Sequence, residues 1–176
     1  MTLSDIRTPG FQTLIDDLTE TMRDYGGVGI AAPQVSVSAQ VFLIEVTDNN
    51  SRYPGRPSHP LTIFINPVVT PVGDREIFSP EGCLSIDTMR GVAARYGRIH
   101  VSAFDRNARR IELDLEEFPA IVVQHEMDHL LGHLYVDRLW NQAALGFEYD
   151  TDRYDSLTRE YLESLQLGDL PELNRC

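Results

Sequence analysis

Residues 124–133 read QHEMDHLLGH. On a helix, side chains four positions apart share a face, so His125 and His129 can aim ring nitrogens at one metal ion. Glu126 is turned about 100° away from His125. That takes it off the ligand face but leaves it in reach of a water beside the ion, the general-base arrangement of an HExxH motif. The surrounding segment, PAIVVQHEMDHLLG (119–132), is otherwise almost wholly apolar. Burying His, Glu and His there without partners would cost several kcal/mol, so these spacings point to a catalytic metal.

Two imidazoles rarely hold such an ion alone. Zinc proteases with an HExxHxxGxxH pattern place a third histidine where this chain has Tyr135. His133 follows the helix-ending Gly132, His59 lies in a polar loop, and His100 lies in a strand. Cys83, in EGCLS (81–85), stands in an extended segment after a glycine that permits close backbone approach. Alone it would read as a small buried hydrophobe. Beside HExxH, a His/His/Cys site with an open fourth position is the best reading.

These groups need elements to hold them. FQTLIDDLTETMRD (11–24) has apolar residues at helical spacing and predicts an amphipathic helix. YGGVGIAAPQ is a glycine-rich turn into a small-residue segment. QVFLIEV (40–46) predicts a buried strand, 47–60 a polar surface loop, and LTIFINPVV (61–69) a strand cut short by Pro67. REIFSPEGCLS (75–85) leads into a short strand around Cys83. RIHVSAFD (98–105) and RRIELDLEEF (109–118) flank a hairpin turn at 106–108. Residues 119–132 predict a helix apolar all round, hence buried. HLYVD (133–137) is strand-like, and 152–167 predicts a final amphipathic helix ending at Gly168. The expected fold is α+β: mixed, mostly antiparallel strands packed around a buried HExxH helix, with an N-terminal and a C-terminal helix, in a single domain over residues 1–176.

Composition narrows the function. The chain has 176 residues, a net charge of −12 and 15 basic residues, every one of them arginine. Without lysine there is no Schiff-base or P-loop lysine chemistry. The acidic balance argues against a protein that grips nucleic-acid phosphates. No apolar run suits a membrane span and the N-terminus lacks a secretory signal, so a cytoplasmic location with Cys83 reduced is expected. GVGIAA (27–32) loosely fits a dinucleotide fingerprint. That motif needs a strand before it and a helix after it, and here a helix precedes and a strand follows.

GVGIAAPQ (27–34), EGCLS (81–85) and QHEMDHLLG (124–132) together resemble the three signature motifs of peptide deformylases, in the same order and at similar separations. The resemblance covers roughly residues 11–139. It implies that Cys83, His125 and His129 bind one divalent metal, most often Fe(II) in bacteria, with Zn(II) or Ni(II) able to substitute. It implies hydrolysis of the formyl amide on N-formylmethionyl peptides of nascent chains. Glu126 would move the protons, and the Gln34 side-chain amide with the Leu84 backbone N–H would hold the oxyanion. The peptide would add as a strand between Val28 and Gly29 on one side and Glu81 and Gly82 on the other. Phe118, Ile121 and Val122 would line a methionine pocket, or else simply pack in the core. Arg95 and Asp128 would form a supporting ion pair.

The chain also departs from the family pattern. Asp87 stands where a proline is frequent, and Glu117 where a glycine usually precedes the buried helix. Some bacterial relatives dock on the ribosome through a basic C-terminal helix, but residues 145–176 here hold eight acidic residues and three arginines, a poor match for that docking. The alternatives to a deformylase are an HExxH metalloprotease or a specialised relative that binds formyl peptides without turning them over.

Overall fold

The computed structural model describes residues 2–48, 50, 53 and 55–147. It is a mixed α/β chain with antiparallel sheets and three helices. Its elements run α1 (Leu3–Ile6), α2 (Pro9–Asp24), β1 (Gly29–Ala31), β2 (Val41–Val46), β3 (His59–Pro71), β4 (Glu76–Cys83), β5 (Ile86–Tyr96), β6 (Arg98–Phe104), β7 (Arg110–Glu116), α3 (Glu117–Leu131) and β8 (Leu145–Phe147). A five-stranded sheet has the order β1-β2-β3-β6-β7, and a three-stranded sheet the order β4-β5-β8. The expected C-terminal helix at 152–167 lies outside the described residues. None of the helices described is long and apolar enough to cross a membrane.

The chain divides into two compact units, Met1–Ile77 with Arg95–His133, and Phe78–Ala94 with Leu134–Cys176. The first is built on β2, whose apolar run VFLI (41–44) is explained by burial on both faces. Phe42, Ile44 and Val46 join Phe64, Val101, Phe118 and Val123 in one core cluster. Val41 and Leu43 join Ile15, Leu18 and Met22 of α2 in another. Side-chain alternation along a single strand thus separates the core beneath α3 from the core beneath α2. Phe42 and Phe64 face each other across β2 and β3 with ring centroids 4.9 Å apart, a cross-strand aromatic pair.

Four expectations are corrected. Pro67 does not end its strand: β3 continues to Pro71, with a register shift between Ile65 and Val68 and Asn66 at φ 50. A bulge at this point absorbs the missing N–H of proline. GIA (29–31) is a short strand paired with β2, not only a turn. Residues 86–96, assigned no element from sequence, form β5. Residues 133–137 are not a strand; Tyr135–Arg138 form a single 3-10 turn.

Candidate metal centre

Helix α3 begins after Glu116, in extended conformation, and ends at Gly132, whose φ of 78 lets it cap the helix. The His133 N–H reaches back to the Asp128 carbonyl at 2.9 Å, which closes the last turn. Between these ends the side chains of Phe118, Ile121, Val122, Val123, Glu126, Asp128 and His129 are buried. Leu131 departs from the all-round burial read from the sequence and is exposed. The rings of His125 and His129 stand side by side on the helix, centroids 5.2 Å apart and 68° between planes. Asp128, next to the second histidine, is held by Arg95 at 2.6 Å, with both side chains buried. The ion pair suggested by the family pattern is therefore present.

The glycine motif lies over the same helix. β1 is a terminal strand of its sheet, paired with β2 on one side, and it packs against α3. A Cβ on Gly29 would come within 2.8 Å of the Cγ and Cδ of Glu126, with Oε1 nearer still. Only a glycine leaves room for the carboxylate at that point. After β1 the chain turns through a 3-10 segment, Ala32–Val35. There the Gln34 Oε1 accepts the Ala31 N–H at 2.8 Å. The Nε2 end of the same amide is a donor and not an acceptor. Val28 is buried within the same core cluster as Phe118 and Val122.

In the second unit, Cys83 ends β4, is buried and forms no disulfide among the described residues. The Ser85 N–H donates to its Sγ at 3.4 Å. Glu81 and Arg90 are buried, and Leu84 is half-buried. A Cβ on Gly82 would meet the Arg90 side chain at 3.6 Å, ordinary contact, so Gly82 is not glycine for lack of room. Tyr135, which stands where proteases have a third histidine, is fully buried. Its phenol is pushed up to about 12, first by burial and then by the charge on Cys83, with Arg90 pulling the other way and Glu81 adding to the rise. Tyr135 therefore stays protonated over any working pH, as a neutral wall beside the cysteine. Sequence reasoning missed this role for Tyr135 and Arg90, because neither forms a spacing pattern with the thiol.

The ligand atoms of Cys83, His125 and His129 all lie within 4.8 Å of one another and could hold a metal ion. One thiolate with two imidazoles suits a borderline-soft divalent ion and leaves a coordination position open, so the donor set fits a catalytic metal. The other histidines are engaged elsewhere. His59 Nε2 meets Thr62 Oγ1 at 3.2 Å. His100 is clamped between Asp114 and Glu112, each at 2.8 Å. The exposed His133 is not part of the cluster.

Comparison with known proteins gives this geometry a context. The family model described as polypeptide deformylase matches residues 2–144. A peptide deformylase from Leptospira biflexa is 43% identical over 149 residues, covering 85% of this chain and 83% of that protein. Peptide deformylase 1 from Bordetella pertussis is 44% identical over 140 residues, 80% of this chain and 79% of its own length. Among solved structures, a Met-Ala-Ser-bound class I type b peptide deformylase from Acinetobacter baumannii superposes with a TM-score of 0.76 at 33% identity, covering 79% of this chain and 87% of that one. A family match over most of the chain, joined to a Cys/His/His cluster of the kind such enzymes need for their single divalent metal, makes this chain a member of the polypeptide deformylase family, metal-dependent hydrolases that remove the N-formyl group from peptides.

Proposed function

We propose that this chain, acting as one catalytic domain in the cytoplasm, removes the formyl group from N-formylmethionyl peptides of nascent chains and releases formate. The observation that carries the reading is the Cys83/His125/His129 cluster in a chain of this family. Cys83, His125 and His129 would hold a divalent ion, which would supply the Lewis acidity that lets a water lose its proton near neutral pH. We assign Fe(II) as the native ion, with Zn(II) or Ni(II) as substitutes. A thiolate ligand suits an oxidisable ion of this kind, so activity should be oxygen-sensitive.

The remaining steps belong to the chain's own groups. Glu126, buried on α3 beside Gly29, accepts the proton of the attacking water and returns it to the leaving amine. The Nε2–H of Gln34 and the backbone N–H of Leu84 hold the negative charge that develops on the formyl oxygen. Losing one such donor typically costs roughly 100- to 1000-fold in rate. The peptide adds as a strand along the outer edge of β1 at Val28 and Gly29, a reading supported by the terminal position of that strand. Glu81 and Gly82 on β4, also a terminal strand, are the second set of backbone partners. Phe118, Ile121 and Val122, buried on α3, line the methionine pocket. The Acinetobacter relative bound to Met-Ala-Ser supports a peptide of this type as the occupant.

The test is formate release from formyl-Met-Ala-Ser by anaerobically prepared protein loaded with Fe(II) or Ni(II), beside Glu126→Ala and an acetylated peptide. Turnover confined to the formyl peptide, and lost with Glu126→Ala, is expected. Metal-loaded protein that leaves every formyl peptide intact would refute the reading.

A further inference from the structure

The loop between β2 and β3 reads as a plain polar connection, yet its described residues reach back to α3. Asn50 Nδ2–H donates to the Gly26 carbonyl at 3.5 Å, and Asn50 Oδ1 accepts the Tyr53 N–H at 3.1 Å. The Tyr53 ring lies 5.3 Å from the Phe118 ring and packs on the cluster that includes Val28, Phe118 and Val122. Arg56 sets its guanidinium carbon 4.8 Å above the centre of the Phe118 ring. Two loop side chains thus cover a buried aromatic in the first turn of α3.

Arg56 takes an aromatic ring as its partner in a chain with 27 acidic residues. Arg23, Arg75, Arg95, Arg98, Arg106 and Arg110 each pair with a carboxylate. Among the described residues Arg56 has no such partner, and it is half-buried on an aromatic face. A cation over a ring keeps its charge and most of its N–H donors. Set over Phe118, a residue of the proposed methionine pocket, it is prepared for an anion brought from outside.

We propose that Arg56 is a specificity-determining residue: it recognises a carboxylate carried by the substrate downstream of the formylated methionine, with Tyr53 and Asn50 holding the loop that presents it. The inference rests on the reading that Phe118, Ile121 and Val122 line the methionine pocket, since that puts Arg56 at its mouth. An Asp or Glu side chain and the free terminal carboxylate of a short peptide offer the same chemistry, so the peptides must separate them.

The experiment compares kcat/KM of the metal-loaded full chain on amidated formyl-Met-Ala-Asp, formyl-Met-Ala-Ser and formyl-Met-Ala-Lys, with formyl-Met-Ala-Ser as its free acid alongside. The expected order is Asp above Ser above Lys, with the free acid above its amide. An Asp-to-Lys ratio of roughly three- to tenfold at low salt is the size of an exposed charge pair gained and a like-charge contact avoided. The ratio should shrink with added salt, fall toward unity in Arg56→Gln and reverse in Arg56→Glu. Ratios within one variant cancel any loss of active protein. A ratio left unchanged by Arg56→Gln overturns the proposal while the deformylase reading stands. If no formyl peptide is turned over, the deformylase reading fails by itself. Calorimetric binding of Met-Ala-Asp-amide against Met-Ala-Lys-amide then decides the role of Arg56, and equal affinities overturn it.

Discussion

Gly29 and Glu126 are fitted to each other: the space a Cβ would take at Gly29 is already filled by the side chain of Glu126, whose Cγ and Cδ would lie 2.8 Å away. One residue belongs to a terminal strand and the other to the buried face of α3. Gly29→Ala should therefore push the carboxylate from its place. Overpacking of this kind costs about 1–3 kcal/mol, and if Glu126 is the general base proposed above, its displacement costs about 100-fold or more in kcat. Metal content should be unchanged. Steady-state kinetics with metal analysis on the same preparation checks this, and a kcat near the parent value would show that the carboxylate position is not critical.

Glu117 sits at φ 54, the left-handed region that costs a side-chain-bearing residue about 1 kcal/mol. Its ion pair with Arg75 at 2.7 Å is exposed on both sides and offsets little of that. Glu117→Gly should raise stability by about 0.5–1 kcal/mol and Tm by roughly 1–4 °C. Arg75→Ala should be almost silent. Calorimetry that finds Glu117→Gly destabilised would show that the carboxylate contributes more at the helix start than backbone strain takes away.

The pair between Arg95 and Asp128 is a different case, since both side chains are buried at a separation of 2.6 Å. Truncating one partner leaves the other charge buried and uncompensated, at a cost of about 3–5 kcal/mol. Arg95→Met should lower the denaturation midpoint accordingly. Adding Asp128→Leu should restore part of the loss, and a double-mutant cycle in urea measures the coupling. Additive single effects would mean that the pair is not coupled.

His100 is held above its ordinary 6.5 by hydrogen bonds from its ring to Asp114 and then Glu112. A raised folded-state value means that the protonated form is favoured by folding. The contribution to stability is complete below pH 6.5 and disappears as pH rises through the folded-state value. The stability gap between the parent chain and His100→Gln should follow that course. Ring NMR titration reads the folded value directly, and an ordinary midpoint would show that the clamp between β6 and β7 does not persist in solution.

Much of the candidate site is legible in the amino-acid sequence. The His125/Glu126/His129 spacing needs only a helix to put the two histidines on one face with Glu126 beside them, and α3 is that helix. The apolar run of β2 announces a strand covered on both faces. Other elements are hidden for definite reasons. β1 has only three residues, too few to show a period. β5 carries Arg90 and Arg95 facing inward, which disguises it as a polar stretch. The apolar residues of 133–137 suggest a strand, but Tyr135 is buried from within a tight turn.

The sequence by itself determined the identities and local spacing of the groups that can bind a metal and move a proton, because helical and strand periodicities act over a few residues. It also determined the family, through three motifs kept in order. The tertiary structure alone decided why Gly29 is glycine, where the strain at Glu117 arises, and that Tyr53 and Arg56 lie on Phe118. Apart from the local strain at Glu117, these relationships join residues far apart in the chain. Short-range patterns carry no record of such pairs; they are selected only when the sheet and helices pack together.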